Sequence, residues 1–251
     1  MTIAAGVLCT DGMILCADTE HTITEDRKSQ ASKVRAWQTV YPHEDHETDT
    51  RLTIAFAGAG HADWIAAFIQ GMDRDYLMDV PDGFDLQIFE EMLETYNQNF
   101  FRDYIRAYAE NPNHRPQTHI LVLTQFSDGR RAIFHTHENI VLKAEERSFM
   151  AVGAGAPVFE GLANVLLGDV SVYKPIWTMK QAASISVYIM DKVKSEVPGC
   201  GGNSHILMIP KDGGDQEEIP TRKIKELEIH HAAVEAKLYG KLSESLVKKL
   251  P

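Results

Sequence analysis

The chain has 251 residues, with 25 lysines and arginines against 36 aspartates and glutamates, a formal charge of −11, and a 44% hydrophobic composition. That length allows one large domain or two small ones, the apolar fraction is that of a globular rather than a disordered chain, and the acidic balance argues against binding to nucleic acid or an anionic membrane. Three cysteines (Cys9, Cys16, Cys200), no apolar run of the ~18 residues that a membrane span needs, and no basic segment at Met1–Ala5 together predict a soluble cytoplasmic protein without a disulfide framework or signal peptide.

The first element read along the chain is a short apolar strand over Thr2–Cys9. Asp11-Gly12 is a hairpin signal, and Met13–Ala17 is the return strand, ending at Asp18. Residues 19–30 are polar and read as a loop. Lys33–Trp37 is a further strand, 42–51 a solvated acidic loop, and Arg51–Ala57 a strand that runs into Gly58-Ala59-Gly60. Apolar residues at 64, 65, 68, 69 and 72 give His61–Leu77 a helical period. After the break at Pro81-Asp82-Gly83, one long helix is expected over 84–109. Ile88, Phe89, Met92, Leu93, Tyr96, Phe100, Tyr104, Ile105 and Tyr108 share its face, and Asn111-Pro112-Asn113 stops it. These aromatics read as core rather than as a ligand box.

Strands return at His119–Phe126 and Arg131–His135, around the turn Ser127-Asp128-Gly129, and again at Phe149–Gly153. Helices are expected over 157–167 and 179–196, a strand over Ser204–Ile209, and a helical tail over 222–250. Strands therefore come in groups rather than alternating singly with helices, which disfavours a doubly wound parallel sheet. The expected fold is α+β: two antiparallel sheets sandwiched between two helical layers. Residues 1–221 read as one domain and 222–251 as a helical extension, net positive against an acidic body.

Most polar clusters carry no chemistry. His43, Asp45 and His46 lie in a charged loop, and His135-Thr136-His137 lacks a residue to close a metal site. Gly153-Ala154-Gly155 has neither the spacing of a dinucleotide fingerprint nor the lysine of a phosphate loop. The N-terminus is different. Removal of Met1 would leave Thr2 with both a hydroxyl and a free α-amine, a nucleophile and a base on one residue. A nearby cation lowers the pKa of such an amine and keeps it neutral. Lys33 is the candidate cation, Asp18 the residue that holds it, and the backbone of Ala57–Gly60 the candidate oxyanion donor.

This ordered set resembles a proteasome β-type subunit of the N-terminal nucleophile hydrolase family. The matching residues are Thr2, Asp11-Gly12, Ala17-Asp18-Thr19, Ser32-Lys33-Val34, Ala57–Gly60 with Asp63, Val152–Gly155 and Cys200-Gly201-Gly202, in family order from residue 2 to about 209. The resemblance implies a four-layer αββα sandwich and a threonine-type peptidase or amidase. Thr2 would be the nucleophile, Asp18 and Lys33 its tuning pair, the N–H of Gly58 the oxyanion donor, and Phe56, Ala57 and Gly60 substrate-binding residues. It also implies a peptide or unfolded-protein substrate, a homo-oligomeric ring or related assembly, a regulatory ATPase as a candidate partner, and no metal or organic cofactor. The chain departs from the family pattern at Ala154, Val197 and Cys200, where a serine, an aspartate and a serine are usual. An inactive scaffold of the same fold is therefore the alternative reading.

Overall fold

The computed structural model describes residues 2–24, 27–30, 33–41, 50–76, 84–107, 117–144, 147–168 and 176–247. Its first sheet begins with β1 (Ile3–Cys9) and β2 (Gly12–Asp18), the hairpin expected at Asp11-Gly12. β10 (Phe149–Gly153) pairs with the outer side of β1. β11 (Ser204–Pro210) pairs with β2, and the two-residue β12 (Glu217–Glu218) follows it. The second sheet runs β5 (Val34–Tyr41), β6 (Thr50–Gly60), β7 (Thr118–Phe126), β8 (Arg131–His137) and β9 (Ile140–Lys143), in sequence order. All pairings within both sheets are antiparallel.

The alternation of side chains along each strand builds three apolar layers. On β1, Ile3, Ala5, Val7 and Cys9 pack with α3 (Ala156–Leu166) and α4 (Met179–Glu196), whereas Ala4 and Leu8 face the other sheet. On β6, Leu52, Ile54 and Phe56 pack under α1 (Ala62–Tyr76) and α2 (Leu86–Phe100), whereas Ala55, Ala57 and Ala59 face inward. The four-layer αββα sandwich follows directly. It also explains why β1 and β2 are buried throughout, because a strand covered on both faces needs no polar side. Small residues between the sheets allow close approach. Each fully buried Phe or Leu in the outer cores contributes about 1.5–3 kcal/mol of transfer free energy.

Local signals set the helix starts. The Asp85 side chain accepts a 2.9 Å bond from the Ile88 N–H, and Thr178 and Gln181 form a reciprocal capping box at α4. The tail is α5 (Thr221–Val247). Its Ile224 is buried in the core, and Glu228 and Glu235 pair with Lys194 and Lys192 of α4 at 2.8 and 2.5 Å.

Several expectations change. Residues 19–30 contain a β-hairpin, β3 (Glu20–Thr24) with β4 (Arg27–Gln30), rather than a loop, because cross-strand backbone pairing does not require apolar residues. The long helix over 84–109 is α only to Phe100 and continues as a π-helical stretch over Phe101–Arg106. Ile105 stays buried there, while Tyr104 is exposed. The strands β9 and β12 were not anticipated, being short and partly exposed. The acidic loop and the stops at Pro81–Gly83 and Asn111–Asn113 fall largely outside the described residues. No helix among the described residues is long and apolar enough to cross a membrane.

Candidate active site

The β1–β2 register sets Ala4 opposite Ala17, which brings Thr2, just before β1, alongside Asp18 at the end of β2. Lys33 precedes β5 on the facing sheet. The three residues therefore come from the same end of the sandwich and meet between the sheets. The Thr2 hydroxyl donates to Asp18 Oδ1 and accepts from Lys33 Nζ. Lys33 Nζ also donates to Asp18 Oδ1 at 2.5 Å and to the Glu20 carbonyl at 2.5 Å. All three ammonium protons thus have an acceptor. Asp18 is equally well served: its Oδ1 faces the Ile3 N–H at 3.3 Å, and its Oδ2 accepts from the Gly201 N–H at 3.0 Å.

Burial makes this cluster electrostatically strong. The Asp18 side chain is 0% exposed and that of Lys33 6%. Taking such a pair out of water is costly unless its hydrogen bonds are complete, as they are here. Burial pulls the Lys33 pKa below the ordinary lysine value, and the charge of Asp18 opposes that pull. The Thr2 hydroxyl accordingly sits between an ammonium donor and a carboxylate acceptor.

The remaining predicted residues lie on β6. Ala57 and Ala59 face the inter-sheet core, and Gly58 lies against Ile65 of α1. The Phe56 side chain is fully buried on the helical side, its ring edge-on to Trp37 at 5.3 Å. Gly60 adopts φ +116°, and a side chain there would meet the Gln117 carbonyl. Gly153 carries more of the site. Its φ is +94°, and a β-carbon there would collide with the Thr2 carbonyl and come within 2.8 Å of the Ala59 β-carbon. Two residues on, the Gly155 N–H points to the same Thr2 carbonyl at 3.4 Å. The glycine turn read from the sequence therefore cradles the backbone of Thr2.

At the positions that depart from the family pattern, Cys200 is buried and Val197 packs at the edge of the α3–α4 core. Burial, and then the Asp18 charge, push the Cys200 thiol up to about 11. Sequence reasoning missed the Glu20 carbonyl as a lysine acceptor, since a backbone contact leaves no residue-type signal. It also missed a cleft of about 260 Å³ between Val34–Ala36 of β5 and His205–Leu207 of β11, with Gln216 and Glu218 on its wall. Among the described residues no group of three His, Cys, Asp or Glu side chains is arranged to hold a metal ion.

No protein-family profile matches the chain, and no curated protein matches it. Solved structures do. An Anbu mutant from Hyphomicrobium sp. strain MC1 superposes with a TM-score of 0.71 at 15% identity, over 96% of this chain and 97% of that one. Anbu from Yersinia bercovieri, described as an ancestral β-subunit, gives 0.71 at 14% identity, over 99% and 98%. Anbu from Pseudomonas aeruginosa, solved as a helical assembly, gives 0.72 at 11% identity, over 99% and 97%. The chain shares their proteasome-like fold over nearly its whole length.

Proposed function

We propose that this chain is a proteasome-like threonine peptidase or amidase whose nucleophile is Thr2 Oγ1. The observation that carries this reading is the closed hydrogen-bond set of Thr2, Asp18 and Lys33 at one end of the sandwich. In this proposal Met1 is removed, and the neutral α-amine of Thr2 takes the hydroxyl proton as Oγ1 attacks the substrate carbonyl. The Lys33 cation, held by Asp18, keeps that amine neutral. The N–H of Gly58 receives the developing oxyanion. The amine passes its proton to the leaving nitrogen, leaving an ester on Thr2 that water hydrolyses. Ala57 and Gly60 would shape the adjoining substrate site, whereas Phe56, expected from the sequence to line it, is buried under α1 and α2 and supports β6 only from behind.

The substrate class in this reading is a peptide or unfolded protein and the compartment the cytoplasm. The helical assembly of the Pseudomonas aeruginosa Anbu supports a homo-oligomer here too, with a regulatory ATPase as a candidate partner. Light scattering on the purified chain tests the assembly, and a monomer would end that part of the reading.

Intact mass before and after treatment with a threonine-reactive electrophile tests the chemistry. Loss of Met1 and one adduct at Thr2 are expected. Thr2→Ala should remove the adduct and lower amide hydrolysis about 10³-fold or more. The second reading is a scaffold of the same fold without catalysis. The apolar Val197 and the inert Cys200 thiol favour it. A retained Met1 with no adduct would decide for the scaffold.

A further inference from the structure

Three histidines that are distant in sequence, or separated by an intervening residue, meet on the inward face of the second sheet. His119 on β7 and His137 on β8 are register partners, and their rings stack at 4.3 Å with planes 3° apart. His135 reaches the same cluster, its Nε2 lying 3.1 Å from His119 Nδ1. That contact needs a proton on one nitrogen and a lone pair on the other, so the arrangement requires at least one uncharged ring. The face is the one that carries Leu121, Leu123 and Ile133 into the inter-sheet core.

The surroundings do little to support a positive charge. Glu138, directly after His137, is the carboxylate that acts on His119 among the described residues. Its backbone is left-handed at φ 50°, and Asn97 of α2 donates to its carbonyl at 3.0 Å. From β9 the register partners of His135 and His137 are Leu142 and Ile140. Lys143 engages Glu90 and the Phe134 ring on the other face. From β6 come Ala59 and Gly60, and from β10 the inward residues Met150 and Val152, together with Gly153. Burial pushes His135 down to about 4, and burial with its neighbour His137 lowers His119.

The cluster is connected to the Thr2 end of the fold. His119 is the β7 partner of Ala59. The Ala59 side chain stands against Gly153, which in turn lies under the Thr2 carbonyl. A change in spacing at His119 therefore reaches Thr2 through three successive contacts, by way of Ala59 and Gly153.

We propose that His119, His135 and His137 form a proton-sensitive latch. While neutral they stack and fix the spacing of β7 and β8 beside Ala59, and when protonated they repel one another and loosen the Ala59–Gly153 contact that cradles Thr2. The unfolded chain takes up protons near pH 6.5, whereas the folded cluster resists until about 4 for His135. Between those limits the unfolded state binds more protons, so the folded state loses stability as pH falls. His119 and His135 touch directly, so their proton uptake is coupled.

Hydrogen exchange on the full-length chain tests the latch without reference to turnover, so its failure is distinct from failure of the proposed function. As pH falls from 6.5 toward 4, exchange at residues 151–155, corrected for the intrinsic rate, should rise about tenfold or more, the signature of a sub-global opening. The variant His135→Gln/His137→Phe keeps a hydrogen-bonding partner and a stacked ring for His119 but removes two of the charges. It should lose most of the pH-dependent rise. Coincident pH profiles for variant and parent would overturn the proposal. If the variant does not fold, the imidazole C–H resonances of the unmodified chain decide: two or more rings titrating together, below the ordinary histidine value, support the latch. Three independent titrations near 6.5 would overturn it.

Discussion

Two half-hidden polar groups occupy the same end of this sandwich and solve burial in opposite ways. Asp18 and Lys33 form a buried ion pair, and with the Thr2 hydroxyl and the Glu20 carbonyl they complete the hydrogen bonds of the ammonium. In the histidine cluster His119 stacks on His137 and shares with His135 one proton contact, which requires an uncharged ring. The first strategy sets the Thr2 hydroxyl between a carboxylate and an ammonium whose proton burial loosens. The second yields a geometry that depends on staying neutral. The charged centre therefore answers to alkaline pH through Lys33, and the histidine cluster to acidic pH through His119 and His135.

The comparison breaks most visibly at Asp18. Asp18→Ala leaves Lys33 buried without its hydrogen-bonded counter-charge and should lower unfolding free energy by about 3–5 kcal/mol in denaturant titrations. A loss below about 1 kcal/mol would mean that water already screens the pair, since that is the range of solvent-exposed ion pairs. The next effect is at the contact between the two groups. Gly153→Ala forces a left-handed backbone onto alanine and drives a methyl group at the Thr2 carbonyl. Backbone strain alone costs about 1–3 kcal/mol, and Thr2 reactivity toward the electrophile should fall with it. Unchanged reactivity would show that the Gly153 cradle does not position Thr2.

The charged centre also carries a pH signature of its own, opposite in range to that of the histidines. Lys33 has a folded pKa below the 10.5 of the unfolded chain. Between those two values the unfolded state alone holds the proton, so this group makes stability rise with pH. Lys33→Met lacks that contribution. The stability difference, parent minus variant, should therefore grow as pH rises toward 10.5, and a flat difference in alkaline denaturant titrations would contradict the assignment.

How much of this was legible beforehand follows from range of interaction. The β1–β2 hairpin, the capped helices and the grouping of strands are local features, and the apolar patterns and turn residues of the sequence announce them. The approach of Asp18 to Thr2 could be read because one hairpin turn joins their strands. Lys33 depends on the stacking of two sheets, which periodicity does not report; the order of motifs along the chain suggested it. The π-helical stretch after Phe100 escaped because the apolar spacing over Tyr104 and Ile105 fits an ordinary helix equally well. The histidine cluster escaped because it is made by β7–β8 register. His135 and His137 look unremarkable as an alternating pair until His119 arrives from the neighbouring strand.

The smallest expected effect concerns Cys200, which sets a silenced thiol beside the proposed nucleophile Thr2. Cys200 lies close enough to Asp18 and Lys33 to feel both charges, yet desolvation and the Asp18 carboxylate dominate and hold the thiol near 11. At neutral pH that leaves about 10⁻⁴ of the group as thiolate, against a few per cent for a free cysteine. Thr2 shares the same charges but receives them through direct hydrogen bonds, with the cation on its oxygen. Cys200→Ala should therefore leave the rate of Thr2 modification within about twofold, because a surface of similar size replaces a thiol that exchanges no proton. Iodoacetamide should label Cys200 in the folded chain far more slowly than in the denatured chain. Fast stoichiometric labelling of the native protein would show instead that the Lys33 cation outweighs burial at the thiol, and that this end of the sandwich contains two activated nucleophiles rather than one.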